Sequence, residues 1–430
     1  MTASKLSRRS FLHATTGAAA TLAAARTLFP GGAWASTATP EVRGATLGYI
    51  ALTDSAPLII AEVKGLYAKY GLDQMRIEKQ ASWGATRDNM ALGAARGGID
   101  GGHILRPKVF QYSLGTVMQN NQPTPMYNLL SLNEDCQGIS VAQDYAATDV
   151  RLDAGALREA FAAKRARGEE VTAAMTFPGG THDLWLRYWL AAGGIDPNHD
   201  VNVIVVPPPQ MVANMRVGNM DCFCVGEPWN EQLVNQGIGF TALTTGELWA
   251  NHPEKVLGMR AEWVDAHPIA TRALMMAVME AQIWCDDMAN KEELAQILGR
   301  RQWYNVPPAD ILGRLRGDVN YGNGRMATDT GLEMKFWGEN GRTSFPWQSL
   351  DLWFLTENIR WGYQPADLDM AAVVANTNRS DLWIEAAREL GVDTASMGES
   401  RGVETFFDGK VFDPENPAAY LESLQITAMA

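Results

Sequence analysis

Short apolar segments alternate with amphipathic helical segments twice along this chain of 430 residues, and this alternation most restricts its fold. The first series runs from about residue 45 to residue 105, and the second from about residue 170 to residue 235. Strand–helix–strand units join parallel strands, so each series predicts a mainly parallel sheet covered by helices. We therefore predict an α/β protein with two lobes and a central cleft.

The predicted elements place a crossing between the lobes near residues 138–143 and a return near residues 243–259. We predict that lobe 1 consists of residues 36–140 plus 256–430, including a helical C-terminal extension, and that lobe 2 consists of residues 141–255. In order, we expect strands at 45–52, 74–79, 98–105, 170–177, 202–206 and 221–225, with helices at 56–70, 86–92, 181–190, 210–217, 228–235 and 348–359.

The first 35 residues have the layout of an export signal. Arg8 and Arg9 precede a run of small and mildly apolar residues, and Ala33-Trp34-Ala35 provides a small-x-small cleavage pattern. The paired arginines predict a twin-arginine signal peptide over residues 1–35. The apolar part is too short to span a bilayer, so we expect a periplasmic protein without a membrane anchor.

Composition and motifs exclude several classes of function. The net charge is −13, which disfavours nucleic acid as a partner because such binding depends on neutralising phosphates. The spacing of the histidines and four cysteines does not match a zinc site, and neither a nucleophile elbow nor a phosphate loop is present. We therefore expect no metal, no cofactor and no enzymatic activity, and we read Cys222 and Cys224 as packing residues on one face of a strand.

Several candidate site residues also have ordinary structural interpretations. Gly179-Gly180-Thr181 could be a tight turn with Thr181 as the helix N-cap, and His182 could be a solvated residue of the first turn. Glu254 and Lys255 could form a solvated pair on a surface loop. Ligands of such folds lie beyond the carboxyl ends of strands, and a helix N-terminus there can receive an anion.

Longer strings of residues resemble the nitrate-binding proteins of bacterial ABC transporters. The resemblance covers about residues 44–362, most of the chain after the signal peptide. The strings are 48–58 (GYIALTDSAPL), 81–83 (ASW) with 87–89 (RDN), 98–105 (GIDGGHIL), 137–141 (QGISV), 225–230 (VGEPWN), 252–255 (HPEK), 258–260 (GMR), 345–347 (FPW) and 352–362 (LWFLTENIRWG).

The resemblance implies a type II periplasmic-binding-protein fold and a site for nitrate. Position by position, it implies that nitrate is held by Trp83, Gln137, His182, Gly226 and Lys255. Three of the side chains offer N–H donors, Lys255 supplies positive charge, and the bare backbone of Gly226 allows close approach.

The implied function is capture of nitrate and nitrite for an ABC importer, with the permease and ATPase as partners and a monomeric binding protein. The related alternatives are a bicarbonate receptor that uses calcium and a cytosolic nitrate sensor, and an enzyme on this fold is a third. Arg106 and Lys108 depart from the small or uncharged residues expected there; they could add positive potential at the cleft mouth or lie on the surface.

Overall fold

The computed structural model describes residues 39–135 and 137–428. The predicted signal peptide, with Arg8 and Arg9, lies outside the described residues, as does Cys136. The strands are β1 (Thr46–Tyr49), β2 (Arg76–Lys79), β3 (Gly101–Leu105), β4 (Met126–Ser131), β5 (Gln137–Ala142), β6 (Thr172–Met175), β7 (Asn202–Val205), β8 (Cys222–Gly226), β9 (Gly239–Thr244), β10 (Lys255–Arg260), β11 (Val319–Gly322), β12 (Arg325–Ala327), β13 (Glu404–Thr405) and β14 (Val411–Phe412).

The helices cover both faces of the two large sheets and form most of the C-terminal region. They are α1 (Ala56–Val63), α2 (Leu66–Lys69), α3 (Trp83–Leu92), α4 (Lys108–Leu114), α5 (Arg158–Ala166), α6 (Thr181–Ala192), α7 (Met211–Arg216), α8 (Trp229–Asn235), α9 (Thr245–Leu248), α10 (Ala261–Ala266), α11 (Pro268–Asp286), α12 (Lys291–Gly299), α13 (Ala309–Leu315), α14 (Gln348–Arg360), α15 (Met370–Thr377), α16 (Ser380–Glu389) and α17 (Pro417–Glu422).

Two five-stranded sheets form the centres of the two lobes. Their strand orders are β2-β1-β3-β10-β4 and β7-β6-β8-β5-β9. In the first sheet β10 pairs antiparallel with both neighbours, and in the second β5 does the same, so four strands of each sheet point the same way. The predicted two-lobed α/β architecture with mainly parallel sheets is confirmed.

β5 and β10, the strands that run opposite to the other four in their sheets, each follow a crossing of the chain from one sheet to the other. β5 begins at Gln137, shortly after β4 of the first sheet ends at Ser131, and β10 begins after residues 245–254 leave the second sheet. The crossings lie side by side: the Leu132 amide donates to the Lys255 carbonyl (2.8 Å) and the Asp135 amide to the His252 carbonyl (3.0 Å). Residues 137–140, which we had predicted in lobe 1, pair within the second sheet; the division of the whole chain into lobes stays a prediction.

Burial differs among the strands of the two sheets. The central strands β3 and β8 are buried along their whole length, whereas the edge strands β2 and β7 keep exposed residues at both ends. The edge strands at the other side of each sheet are covered: β9 is buried along its whole length, and β4 has one half-buried residue. The predicted helix over 56–70 is two helices, because Gly65 adopts a left-handed conformation (φ 69°) between α1 and α2. The pattern did not indicate β4 or β9.

The C-terminal helix α14 packs an aromatic cluster against the second lobe. Trp353 stacks on Trp185 of α6, with ring centroids 5.0 Å apart, and both side chains are buried. The described cysteines Cys222, Cys224 and Cys285 are buried free thiols, as expected for packing residues. Over residues 39–135 and 137–428, none of the helices combines the length and apolar character needed to cross a bilayer.

Arg106 and Lys108 are buried, so the surface position that we proposed for them is wrong. The Arg106 guanidinium donates to Asp351 of α14 (2.6 Å) and to the Trp347 carbonyl (2.8 Å). The Lys108 ammonium donates to the Pro178 carbonyl across the cleft (2.6 Å). They connect the first lobe to its C-terminal extension and to the second lobe.

Candidate functional site

The five residues predicted to form the site come from five different elements. Trp83 begins α3 after β2, His182 lies in the first turn of α6 after β6, and Gly226 ends β8. Gln137 is the first residue of β5 and Lys255 the first residue of β10. Residues at strand ends and at adjacent crossings meet where the two sheets face each other, which is where ligands of open α/β sheets bind.

These five residues are close together and buried. The His182 imidazole Nε2 lies 2.8 Å from Gln137 Oε1. A Cβ built on Gly226 would lie 2.6 Å from the same Gln137 oxygen. The Lys255 ammonium lies 5.8 Å from the centroid of the Trp83 ring. The side chains of Trp83, Gln137, His182 and Lys255 are fully buried, so the lobes are closed over them.

Asp54, in the 3₁₀ turn after β1, hydrogen-bonds to two of the five residues, and sequence reasoning did not select it. Its carboxylate accepts from Lys255 Nζ (2.8 Å), Gln137 Nε2 (3.2 Å) and His103 Nε2 (2.5 Å). Asp54 belongs to the GYIALTDSAPL string, but an acidic residue in an anion site is not predicted by charge complementarity alone. Its contacts fix the positions of three donors, two of them among the predicted site residues.

Glu254 is a second carboxylate in the site. One oxygen, Oε2, accepts from the Lys255 ammonium, and the other, Oε1, lies 3.7 Å from His182 Nε2 without a hydrogen-bond partner. Glu254 and Lys255 are both buried, so the surface-loop interpretation of this pair is wrong. His182 is also buried, and the N-cap of α6 is Gly180 instead of Thr181.

The electrostatics of the site favour one ammonium and neutral histidines. Burial opposes the charge on Lys255, but Asp54 and Glu254 outweigh it and raise the pKa of Lys255. Burial, together with Lys255, holds the pKa of His182 well below its ordinary value, so the ring is neutral at pH 7. Burial disfavours the charged form of Asp54, yet Lys255 and His103 lower the pKa of this carboxyl, which stays ionised.

The neutral His182 ring orients the amide of Gln137. Its Nδ1 faces the Thr176 hydroxyl (2.7 Å), and its Nε2–H donates to Gln137 Oε1. The amide nitrogen of Gln137 is thereby turned toward Asp54 and Lys255. His182 thus acts on the site through Gln137 in this closed conformation.

Donor capacity remains after these contacts are counted. The indole N–H of Trp83 is buried without a hydrogen-bond partner. Lys255 has three N–H donors and uses two, on Asp54 and Glu254, and the Gln137 amide has two and uses one, on Asp54. A buried donor without a partner costs free energy, so this set indicates a site for an acceptor-rich ligand.

The carboxylates and imidazoles of the site do not form a metal-ligating arrangement. Across residues 39–135 and 137–428 there is no group of three or more His, Cys, Asp or Glu side chains that could hold a metal ion. The Lys255 ammonium lies between Asp54 and Glu254 and contacts both carboxylates.

Similarity to known proteins extends over most of the chain. The model of the NMT1-like family matches residues 38–299. The chain is 55% identical over 391 residues to the nitrate/nitrite binding protein NrtA of Synechococcus elongatus, covering 91% of this chain and 88% of that protein. It is 43% identical over 395 residues to the bicarbonate-binding protein CmpA of the same species, covering 90% and 87%.

A solved structure of a related protein has the same fold. The crystal structure of the periplasmic nitrate-binding protein NrtA from Synechocystis superposes with a TM-score of 0.88 at 56% identity, covering 90% of this chain and 100% of that chain. The predicted periplasmic-binding-protein fold is confirmed. Because the family model matches more than half of the chain, and relatives at 43–55% identity cover about nine tenths of it, the chain belongs to the NMT1-like family.

Proposed function

We propose that this protein captures nitrate, and nitrite, in the periplasm and delivers the anion to the permease and ATPase of an ABC importer. The observation that supports this most directly is the unpartnered indole N–H of Trp83, buried beside the Lys255 ammonium. Nitrate is a flat, weakly basic anion with three acceptor oxygens, so N–H donors around one positive charge suit it. No turnover is proposed, because no group in the site is arranged as an activated nucleophile among the described residues.

The donors are sufficient for a site of useful affinity. Hydrogen bonds that involve a charged group contribute about 1.5–3 kcal/mol each. An ammonium in contact with an anion adds about 4 kcal/mol at an effective dielectric of 20. A micromolar dissociation constant needs about 8 kcal/mol, so the spare donors of Trp83, Gln137 and Lys255 suffice after the cost of closing the lobes. We propose that His182 positions the Gln137 amide and that Gly226, which has no side chain, leaves room for the anion.

Calorimetric titration of the mature protein tests the ligand. We expect heat from nitrate and from nitrite, unaffected by calcium or a chelator. Heat from bicarbonate with calcium, and none from nitrate, would contradict the proposal and assign the protein to the bicarbonate-binding relatives. The Lys255 contacts with Asp54 and Glu254 are the structural reason to expect nitrate, since an ammonium and a calcium ion compete for the same carboxylates.

Trp83→Phe isolates the proposed indole contact. The phenyl ring keeps most of the buried apolar surface but removes the N–H, so nitrate affinity should fall about 10- to 100-fold, the equivalent of one charge-assisted hydrogen bond. The matched control is Trp353→Phe, because Trp353 also has a buried, unpartnered N–H but lies in the C-terminal aromatic cluster. Equal losses in both variants would mean that Trp83 does not contact the ligand.

The signal peptide predicts the export route. We infer that the precursor crosses the cytoplasmic membrane by the twin-arginine pathway, from the Arg8-Arg9 pair ahead of a mildly apolar stretch. Replacing both arginines by lysine should leave the precursor, uncleaved, in the cytoplasmic fraction. Unchanged processing and periplasmic recovery of this variant would contradict the assignment and favour the general secretory route.

A further inference from the structure

The site holds more negative than positive charge before any ligand arrives. Lys255 contacts both Asp54 and Glu254, and all three side chains are fully buried. The neighbouring rings of His103 and His182 have lowered pKa values because of burial. Two carboxylates therefore face one ammonium. An anion such as nitrate adds another negative charge to a volume that is sealed from solvent, where unpaired charge is costly.

The two carboxylates differ strongly in how well they are satisfied. Asp54 accepts from three side chains, those of Lys255, Gln137 and His103. Glu254 accepts from Lys255 through Oε2, and its Oε1 has no hydrogen-bond partner although it is buried 3.7 Å from His182 Nε2. Hydrogen bonds to a carboxylate stabilise its charged form, so a proton entering the site goes to Glu254.

The protonated form of Glu254 would also complete the donor set. A carboxylic acid offers one O–H donor, which a carboxylate lacks. The unpartnered Oε1 is the atom where this hydrogen fits, because Oε2 is held by the Lys255 ammonium. With Glu254 neutral, the negative charge of Asp54 and the positive charge of Lys255 would cancel. The bound anion would then bring the net charge of these groups to −1 instead of −2.

We propose that Glu254 binds the anion in its protonated form, so that the protein takes up one proton from solvent with each nitrate when Glu254 is ionised beforehand. This inference rests on the proposed function and adds a proton-coupled donor to its site. The step is a simple uptake: the Glu254 carboxylate gains a proton, its O–H donates to a nitrate oxygen, and release of nitrate returns the proton to solvent.

The groups around Glu254 are consistent with a pKa close to neutrality. Burial raises the pKa of Glu254 to about 7 and Asp54 adds to this shift, whereas Lys255 and, more weakly, the Thr181 hydroxyl oppose it. Three groups on other elements face Glu254: the Thr181 hydroxyl and the His182 ring of α6, and the Cys224 thiol of β8. Burial raises the pKa of the Cys224 thiol. None of these three is charged at pH 7, so Lys255 and Asp54 are the charges that act on Glu254.

The sign of the pH dependence follows from linkage. Below about pH 7 Glu254 already holds its proton in the free protein, so binding takes up none and affinity is constant. Above that pH the free protein must acquire the proton, and nitrate affinity should fall about tenfold per pH unit. The measurement is nitrate titration calorimetry at pH 6 to 9 in pairs of buffers with different ionisation enthalpies, which gives the protons taken up per nitrate bound.

Glu254→Gln is the informative variant, because the amide keeps the size and supplies N–H donors but cannot titrate. It should bind nitrate with an affinity that does not change with pH and without proton uptake, and above pH 8 it should bind more tightly than the wild type. The control is Glu385→Gln, an exposed position on α16, which should keep the wild-type slope.

The outcomes separate this inference from the proposed function. Nitrate binding with zero proton uptake over the whole pH range, or uptake that persists in Glu254→Gln, would overturn the inference and leave the function standing. No nitrate binding by the wild type at any pH would overturn the function itself. If Glu254→Gln does not fold, difference infrared spectroscopy of the wild type at pH 8 decides, since nitrate should produce the C=O band of a protonated carboxyl, and its absence would contradict the inference.

Discussion

Replacing Lys255 with methionine should weaken nitrate binding by about a thousandfold. The ammonium is the one group of the site with a positive charge, and a contact between unit charges contributes about 4 kcal/mol at an effective dielectric of 20. Each 1.4 kcal/mol is a factor of ten in affinity, which gives the expected loss. Methionine keeps a long apolar stem of similar volume beside Trp83. Calorimetry on the purified variant measures the effect.

This variant also leaves Asp54 and Glu254 without their cation, so its fold needs its own control. Breaking a buried ion pair destabilises a protein by about 3–5 kcal/mol. In the double variant Lys255→Met/Asp54→Asn, the remaining charge at Asp54 is removed and thermal stability should partly recover, whereas nitrate binding should stay lost. Recovery of binding in the double variant would show that Lys255 acts only by neutralising Asp54.

Gly226→Ala should reduce nitrate affinity about 10- to 100-fold. The added Cβ would lie 2.6 Å from Gln137 Oε1 and 3.1 Å from Leu52 Cδ2, so the Gln137 amide must turn away. That movement breaks its contacts with His182 and Asp54, at the cost of about one charge-assisted hydrogen bond. Binding is measured by the same titration, and a crystal structure or amide chemical shifts would report the rotated side chain.

A glycine next to Trp83 provides the control. Gly84, the second residue of α3, follows Trp83, and a Cβ there would have Ser82 Oγ at 3.6 Å as its nearest neighbour, an ordinary contact. Gly84→Ala should therefore bind nitrate like the wild type. If Gly226→Ala also bound like the wild type, the anion and the Gln137 amide would have to be placed elsewhere.

Local patterns predicted the elements whose residues contact mainly their own neighbours in sequence. The helices after β6 and β8 begin at Thr181 and Trp229, within a residue of the predicted starts. Strand β4 was not predicted, because its string MYNLLS mixes polar and apolar residues without alternation. Its pairing with β10, about 130 residues later in the chain, determines its conformation, and no local window contains that partner.

For the site, too, some features could be proposed from the sequence and others could not. The identities of Trp83, Gln137, His182, Gly226 and Lys255 could be proposed from the sequence because they lie in strings that resemble a known family, and the structure brings them together. Asp54 and Glu254 were present in the same strings, yet the pattern of charges along the chain suggested a solvated pair for Glu254 and no role for Asp54. Nothing in a linear sequence states that a carboxylate is buried against a particular ammonium.

The sequence by itself therefore determined the alternation of strands and helices, the two-lobed class, the export signal as an expectation, and the donor residues suited to a flat anion. The tertiary structure decided where those donors point. Two crossings between the sheets deliver Gln137 and Lys255 beside Asp54, and burial then makes each charge depend on its neighbours. The physical reason is that hydrogen-bond direction and desolvation depend on distances of a few ångströms in space, whereas the sequence records only the order of residues.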